Sequence, residues 1–161
     1  MDRPMVPDVI TVCLEEIKKR GIKEVGIYRM AGSESESKEL MEKIVYGKGP
    51  LPDLTRYDIH CITSCVKKFL RLLKEPIIPQ SSWQIFVDAA SHQYETDQET
   101  DIIQAISQLA VPNRDTLAYI IHHLKCVADH SKINKMDMEN LSKVMGPTIV
   151  GKQVFKITSL V

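Results

Sequence analysis

The chain has 161 residues, enough for one domain around one sizeable core, and its 43% hydrophobic and 26% charged residues exclude the disordered and fibrous classes. Lysine plus arginine equals aspartate plus glutamate at 21 each, so the net charge is zero and no long-range field gathers a polyanion, which argues against nucleic acid as a partner. The four cysteines, at 13, 61, 65 and 126, fall in helical patterns and read as reduced core thiols, consistent with a cytoplasmic setting. Cys61 and Cys65 lie one turn apart, but no second Cys or His pair completes a zinc spacing, so no metal is expected. Neither a membrane-spanning apolar run nor a signal-peptide pattern is visible.

In chain order, Val6, Val9, Ile10, Cys13, Leu14 and Ile17 recur at spacings of three and four and predict a helix over 6–20, with Pro7 in its first turn and Gly21 as its stop. From Ile22 to Gly32 the period vanishes, which predicts a loop. Ser33 and Glu36 form a capping-box pattern for a second helix carrying Leu40, Met41, Ile44 and Val45 up to Gly47. The Gly- and Pro-rich run 47–52 is a connector.

Asp58 is a candidate N-cap for a third helix that buries Ile59, Ile62, Val66, Phe69, Leu70 and Leu73 and stops before Pro76. Its opposite face carries Lys67, Arg71 and Lys74. Further helices are predicted over 83–91, 100–109, 114–129 and 138–145, with Pro112-Asn113 and Gly146-Pro147 as punctuation. No strand alternation or internal repeat competes. The expected class is all-α, an irregular helical domain of about seven to eight helices, as a single domain over 1–161.

The sequence lacks a phosphate-binding glycine loop with its Lys-Ser or Lys-Thr, a Gly-x-Ser-x-Gly elbow and a His-Glu-x-x-His pair. His122 and His123 are adjacent in an apolar helix, about 100° apart, so they read as one partly buried and one surface side chain. What remains is Arg29, in the sparsely charged loop Val25-Gly26-Ile27-Tyr28-Arg29-Met30-Ala31-Gly32. A guanidinium is no general base at neutral pH, but its charged fork suits phosphate oxygens. A loop arginine on its own is more often a solvated surface residue.

Three blocks change that balance. Gly26-Ile27-Tyr28-Arg29-Met30-Ala31-Gly32-Ser33, then Val66-Lys67-Lys68-Phe69-Leu70-Arg71-Leu72-Leu73-Lys74-Glu75-Pro76, then Asn140-Leu141-Ser142-Lys143-Val144-Met145-Gly146-Pro147-Thr148 resemble, in this order, the signature blocks of RhoGAP domains. The resemblance runs over about 6–150. Asp58-Ile59-His60, Asn113-Arg114-Asp115-Thr116-Leu117-Ala118 and Gly146-Pro147-Thr148-Ile149-Val150 are most similar to the branch that supplies the activator subunit of centralspindlin.

The resemblance implies a helical regulator that binds a GTP-loaded Rho-family GTPase (Rac, Cdc42 or Rho) and supplies Arg29 as an arginine finger in trans. The hydrolytic site, GTP and Mg²⁺ then belong to the partner, and the chain needs no cofactor of its own. Lys67 and Arg71, four apart, match the basic positions that support the arginine loop and contact the GTPase, while Lys68 and Lys74 are expected on an ordinary solvated face. Asn140 matches the family's helix asparagine, with a backbone hydrogen-bonding role near the site. Thr148 stands where several relatives carry Asn and offers a weaker polar contact. The centralspindlin branch further implies cytokinesis, a spindle-midzone or cleavage-furrow location, and a kinesin partner engaged through regions outside this chain.

Two departures accompany the likeness. Ala31 replaces the Ser or Pro frequent after the finger, and the tail 151–161 does not resemble the further helix the family carries, so the domain is expected to lack that helix. Two other readings are a catalytically silent RhoGAP-like module that docks a GTPase or scaffold, and a purely structural helical domain. The finger disfavours the first, and the co-occurrence of three blocks disfavours the second.

Overall fold

A computed structural model describes residues 3–151. Among them eight α-helices follow one another: α1 (Asp8–Arg20), α2 (Glu34–Tyr46), α3 (Ile59–Leu72), α4 (Trp83–Ala90), α5 (Glu95–Ser107), α6 (Val111–Ala128), α7 (Ser131–Asn134) and α8 (Met138–Val150). Short 3₁₀ turns at Leu54–Arg56 and Gln80–Ser82 precede α3 and α4, and no strand occurs among the described residues.

Side-chain caps start three of these helices, each satisfying a backbone donor that the helix itself cannot. Ser33 Oγ accepts from the Glu36 N–H at 3.4 Å, Asp58 Oδ1 from the His60 N–H at 2.8 Å, and Asp137 Oδ1 from the Asn140 N–H at 2.8 Å. The first two are the caps expected from sequence.

Helix α3 is the axis of the fold and packs against α1, α2 and α8, while α6 closes the core against α1 and α8. Ile10 and Ile17 of α1, Leu40 of α2, Ile62, Val66 and Leu70 of α3, Ile120 of α6, and Leu141 and Met145 of α8 are all fully or almost fully buried. Each such side chain contributes roughly 1.5–3 kcal/mol by leaving water. All four cysteines are free thiols; Cys13, Cys61 and Cys65 are buried within this core, as expected, whereas Cys126 on α6 is only half-buried.

Several boundaries differ from the sequence expectation. Pro7 is the N-cap of α1 and not a residue of its first turn. Helix α5 begins at Glu95, well before Thr100, with Glu95 and Asp97 in the first turn, where carboxylates favour the positive end of the helix. Pro112 does not interrupt the chain but lies in the first turn of α6, where its missing N–H has no helical acceptor to lose. Gly146-Pro147 is likewise not a stop. Helix α8 runs through it to Val150, because Pro147 forfeits one backbone bond while Thr148 and Ile149 beyond it are buried. Helix α7 is too short to leave a periodic signal. The expectations for residues 152–161 lie outside the described residues.

Candidate functional site

Arg29 lies in the segment between α1 and α2, a chain of turns without helix, as expected. A Cβ at Gly21 would lie 2.7 Å from the Ile59 side chain, so the end of α1 is pressed against the start of α3 and the loop leaves from a fixed point. Gly26 has φ 73°, which a glycine adopts without steric cost, and its carbonyl accepts from both the Arg29 and Met30 N–H groups at 2.9 Å. The chain then dips and resurfaces. Ile27 and Tyr28 are fully buried, whereas Arg29 and Met30 are exposed.

Tyr28 has φ 69°, a left-handed conformation that a bulky residue holds only where its surroundings over-determine it. Two polar contacts do so from different elements. Lys67 Nζ on α3 donates to the Tyr28 carbonyl at 2.6 Å. On the other side the Tyr28 hydroxyl lies 2.7 Å from His123 Nε2 on α6, with the two rings edge to face, centroids 5.8 Å apart and planes at 74°. Burial pushes the Tyr28 hydroxyl well above the usual tyrosine range. Burial, and then Lys18 and His122, push His123 down to about 4. At neutral pH the tyrosine therefore donates and a neutral imidazole accepts. His122 itself is exposed, so the two adjacent histidines divide as expected.

Lys67 supports the arginine loop as the resemblance implies, through its bond to the Tyr28 carbonyl, and it does so from a buried position. Its side chain is not on a solvated face; the residue is only 8% exposed, and burial, with Arg71 nearby, lowers its pKa. On the helical wheel Lys67 lies about 100° from Val66, at the flank of the apolar stripe of α3, and the descending loop covers that side and brings the Tyr28 carbonyl to it. Arg71, one turn on, is exposed and donates from Nε to Thr148 Oγ1 at 3.2 Å; Thr148 is buried. Lys68 is half-buried and ion-paired with Glu34 at the start of α2, more engaged than a solvated lysine, while Lys74 is exposed as expected.

Asn140 is not drawn into this network. It occupies the third position of α8, about 12 Å along the helix from Thr148, and its own N–H is the donor satisfied by Asp137. The asparagine that carries backbone hydrogen bonds behind the loop is Asn134. Its Nδ2 donates to the carbonyls of Ile22 at 2.9 Å and Val127 at 2.8 Å, its Oδ1 accepts from the Met136 N–H at 2.8 Å, and its own carbonyl accepts from the Gly26 N–H at 2.8 Å. One buried residue thus ties α6, α7 and both ends of the approach to Arg29. The available sequence signal was Asn134-Lys135 ahead of the Asp137 cap, turn chemistry that ends α7 with Lys135 at φ 63°.

At the far end of the loop the Gly32 N–H donates to Ser64 Oγ at 3.0 Å, and a Cβ on Gly32 would lie 2.3 Å from the Cys61 backbone nitrogen. Only glycine allows this approach. Between loop and helix lies a cleft of about 250 Å³ whose lining includes Ala31, Lys67, Lys68 and Arg71, with Glu34 as its carboxylate. Among the described residues, the Arg29 guanidinium has no ion-pair or hydrogen-bond partner, and no three metal-ligating side chains converge. Lys67, Lys68 and Arg71 outnumber Glu34 in the cleft, so the site carries net positive charge, an arrangement suited to electrostatic work on an anion.

The RhoGAP domain family model matches residues 7–154. The chain is 43% identical over 152 residues to Rac GTPase-activating protein 1 of Mus musculus, covering 94% of this chain and 24% of that protein. It is 34% identical over 150 residues to the active breakpoint cluster region-related protein of Xenopus laevis, covering 92% and 17%. It thus spans a quarter or less of the length of these curated relatives. Among solved structures, human Rho GTPase activating protein 15 superposes with a TM-score of 0.86 at 32% identity, over 91% of this chain and 70% of that one. The BH domain from Graf, the GTPase regulator associated with focal adhesion kinase, superposes with a TM-score of 0.84 at 30% identity, over 89% and 78%.

Proposed function

The chain belongs to the RhoGAP family, and from that membership we propose that it binds a GTP-loaded Rho-family GTPase, Rac, Cdc42 or Rho, and accelerates its hydrolysis of GTP by inserting Arg29 into the partner's active site. The observation that carries this reading is the contrast between Arg29 and the residue before it: Tyr28 is buried and held by its carbonyl, while the next side chain is exposed and unpaired among the described residues. A surface arginine with no task needs no such anchorage.

On this reading the GTPase holds GTP, Mg²⁺ and the residue that orients the attacking water, and the chain regulates that enzyme without a cofactor of its own. Charge spreads over the transferring phosphoryl group, and a guanidinium at that point stabilises the transition state more than the ground state. An arginine finger accelerates hydrolysis by about 10³ to 10⁵, roughly 4–7 kcal/mol. Lys67 fixes the backbone from which the finger projects. Arg71, steadied by Thr148, offers a cation to the GTPase beside the loop, with Asn140 an auxiliary contact farther along α8. The likeness to the mouse Rac activator extends the proposal to an MgcRacGAP-type role in cytokinesis at the spindle midzone or cleavage furrow, with a kinesin partner bound by regions outside this chain.

The test is single-turnover GTP hydrolysis by purified Rac, Cdc42 and Rho with increasing chain. Acceleration of at least one is the expected result. No acceleration of any of the three by folded chain overturns the reading.

A further inference from the structure

The arginine loop is held by two contacts on Tyr28 that come from two different helices, and the family blocks account for only one of them. Lys67 on α3 binds the carbonyl. The hydroxyl contact comes from His123 on α6, 95 residues along the chain from Tyr28. We propose that His123 is a positioning residue for Arg29: by accepting a hydrogen bond from the Tyr28 hydroxyl, it keeps the left-handed turn that aims the guanidinium out of the domain. The proposal rests on the activator reading above and adds to it a residue that never touches the GTPase.

The turn is also buried and bonded along its backbone, but the hydroxyl contact is the one that fixes the far end of the ring. Among the described residues only Tyr28 and Lys135 hold positive φ without being glycine, and Tyr28 is the one with a large ring to place. Relaxation to negative φ would swing that ring out of the core and turn the following residue with it. The Gly26 carbonyl and Lys67 hold the backbone on either side of the turn, but neither grips the ring. The ring packs in the core, and at its far end the hydroxyl has His123 Nε2 as its one hydrogen-bond partner among the described residues. A hydrogen bond placed there resists rotation about the turn with the longest lever the side chain offers.

Direction and protonation are consistent with this role. A buried phenol that keeps its proton must donate it, and a neutral imidazole with a free Nε2 lone pair is the matching acceptor. The edge-to-face contact of the two rings adds an orientation that a water molecule in place of His123 could not supply. The finger is thereby registered against α3 and α6 together.

The test uses Tyr28→Phe, which deletes one oxygen, with His123→Leu and His123→Gln, each made in the natural chain and again with Arg29→Ala. Saturated single-turnover rate, half-saturating concentration and amide exchange at Arg29 and Met30 are measured for each. The expected result is a loss of about tenfold in saturated rate for Tyr28→Phe and His123→Leu, with half-saturation changed less than twofold. His123→Gln, which keeps an acceptor, restores much of the rate. In the Arg29→Ala background none of the three lowers the residual rate further. Exchange at the Arg29 and Met30 amides rises in Tyr28→Phe and His123→Leu while α3 and α8 stay protected.

Unchanged rate and exchange in Tyr28→Phe overturn the proposal. So does an equal fold-loss with and without Arg29, because it would mean that His123 serves the domain and not the finger. If the natural chain activates no GTPase, the function proposed above fails by itself, and the exchange measurement alone then decides whether His123 holds the loop.

Discussion

Arg71 Nε donates to Thr148 Oγ1 at 3.2 Å, which ties an exposed cation at the end of α3 to a buried hydroxyl in the last turn of α8. The relationship gives Thr148 a use that its place in the Gly-Pro-Thr block does not declare. Thr148→Val keeps the shape and removes the acceptor, and Arg71, being exposed, can turn to water. The expected outcome is a two- to tenfold rise in the concentration of chain that half-saturates GTP hydrolysis, corresponding to about 0.5–1.5 kcal/mol, with the saturated rate nearly unchanged. Titration of the single-turnover rate checks it.

Lys67 acts differently, because it touches the loop and not the surface of α8. Lys67→Met preserves a long apolar stem but leaves the Tyr28 carbonyl without its donor, a loss of about 1–3 kcal/mol in the held form of the loop. It also removes a desolvated charge, so global stability should fall less than the loop does, by a few degrees in Tm at most. The predicted signature is a saturated rate down tenfold or more with half-saturation little affected. A variant that loses affinity and keeps its rate would contradict the anchoring role.

The histidine behind the loop makes stability depend on acid. Its pKa is about 4 in the fold against an ordinary 6.5, and Lys18 and Glu15 from α1, Tyr119, His122 and Cys126 from its own helix, and Tyr28 from the loop are the ionisable groups around it. Between pH 6.5 and 4 the unfolded chain takes up a proton that the folded chain refuses, so stability falls as pH drops through that window and levels off, for this group, below pH 4. The full effect is about 3 kcal/mol. His123→Gln retains an acceptor but cannot ionise, so its urea midpoint should fall less than that of the natural chain between pH 7.5 and 4.5. Parallel pH profiles for the two proteins would contradict the assignment.

Much of this was legible in the sequence where local chemistry decided the outcome. Ser33 and Asp58 declare their helices because a short polar side chain before an apolar stripe has a backbone N–H to accept from. Arg29 was visible because the loop around it is nearly free of other charge, and the order of three blocks gave it a role. The burial of Lys67 was not legible. Helical periodicity reports which residues face the nearest helix, and here a loop from elsewhere in the chain covers the polar side of α3. The pairs Tyr28–His123 and Gly26–Asn134 were hidden for the same reason, since both join residues about a hundred positions apart. Pro147 misled for a different one. A proline inside a helix removes a single backbone bond, and the burial of Thr148 and Ile149 outweighs that loss.

The proposed function runs through one side chain, so the most direct test acts on that side chain alone. Arg29 is exposed, and its replacement should leave the fold intact. The measurement is the single-turnover rate of GTP hydrolysis by the responsive GTPase at saturating chain, natural against Arg29→Ala. The prediction is that Arg29→Ala loses at least about a hundredfold of the acceleration while still binding the GTP-state GTPase in part. Equal rates for the two proteins at saturation would contradict the account.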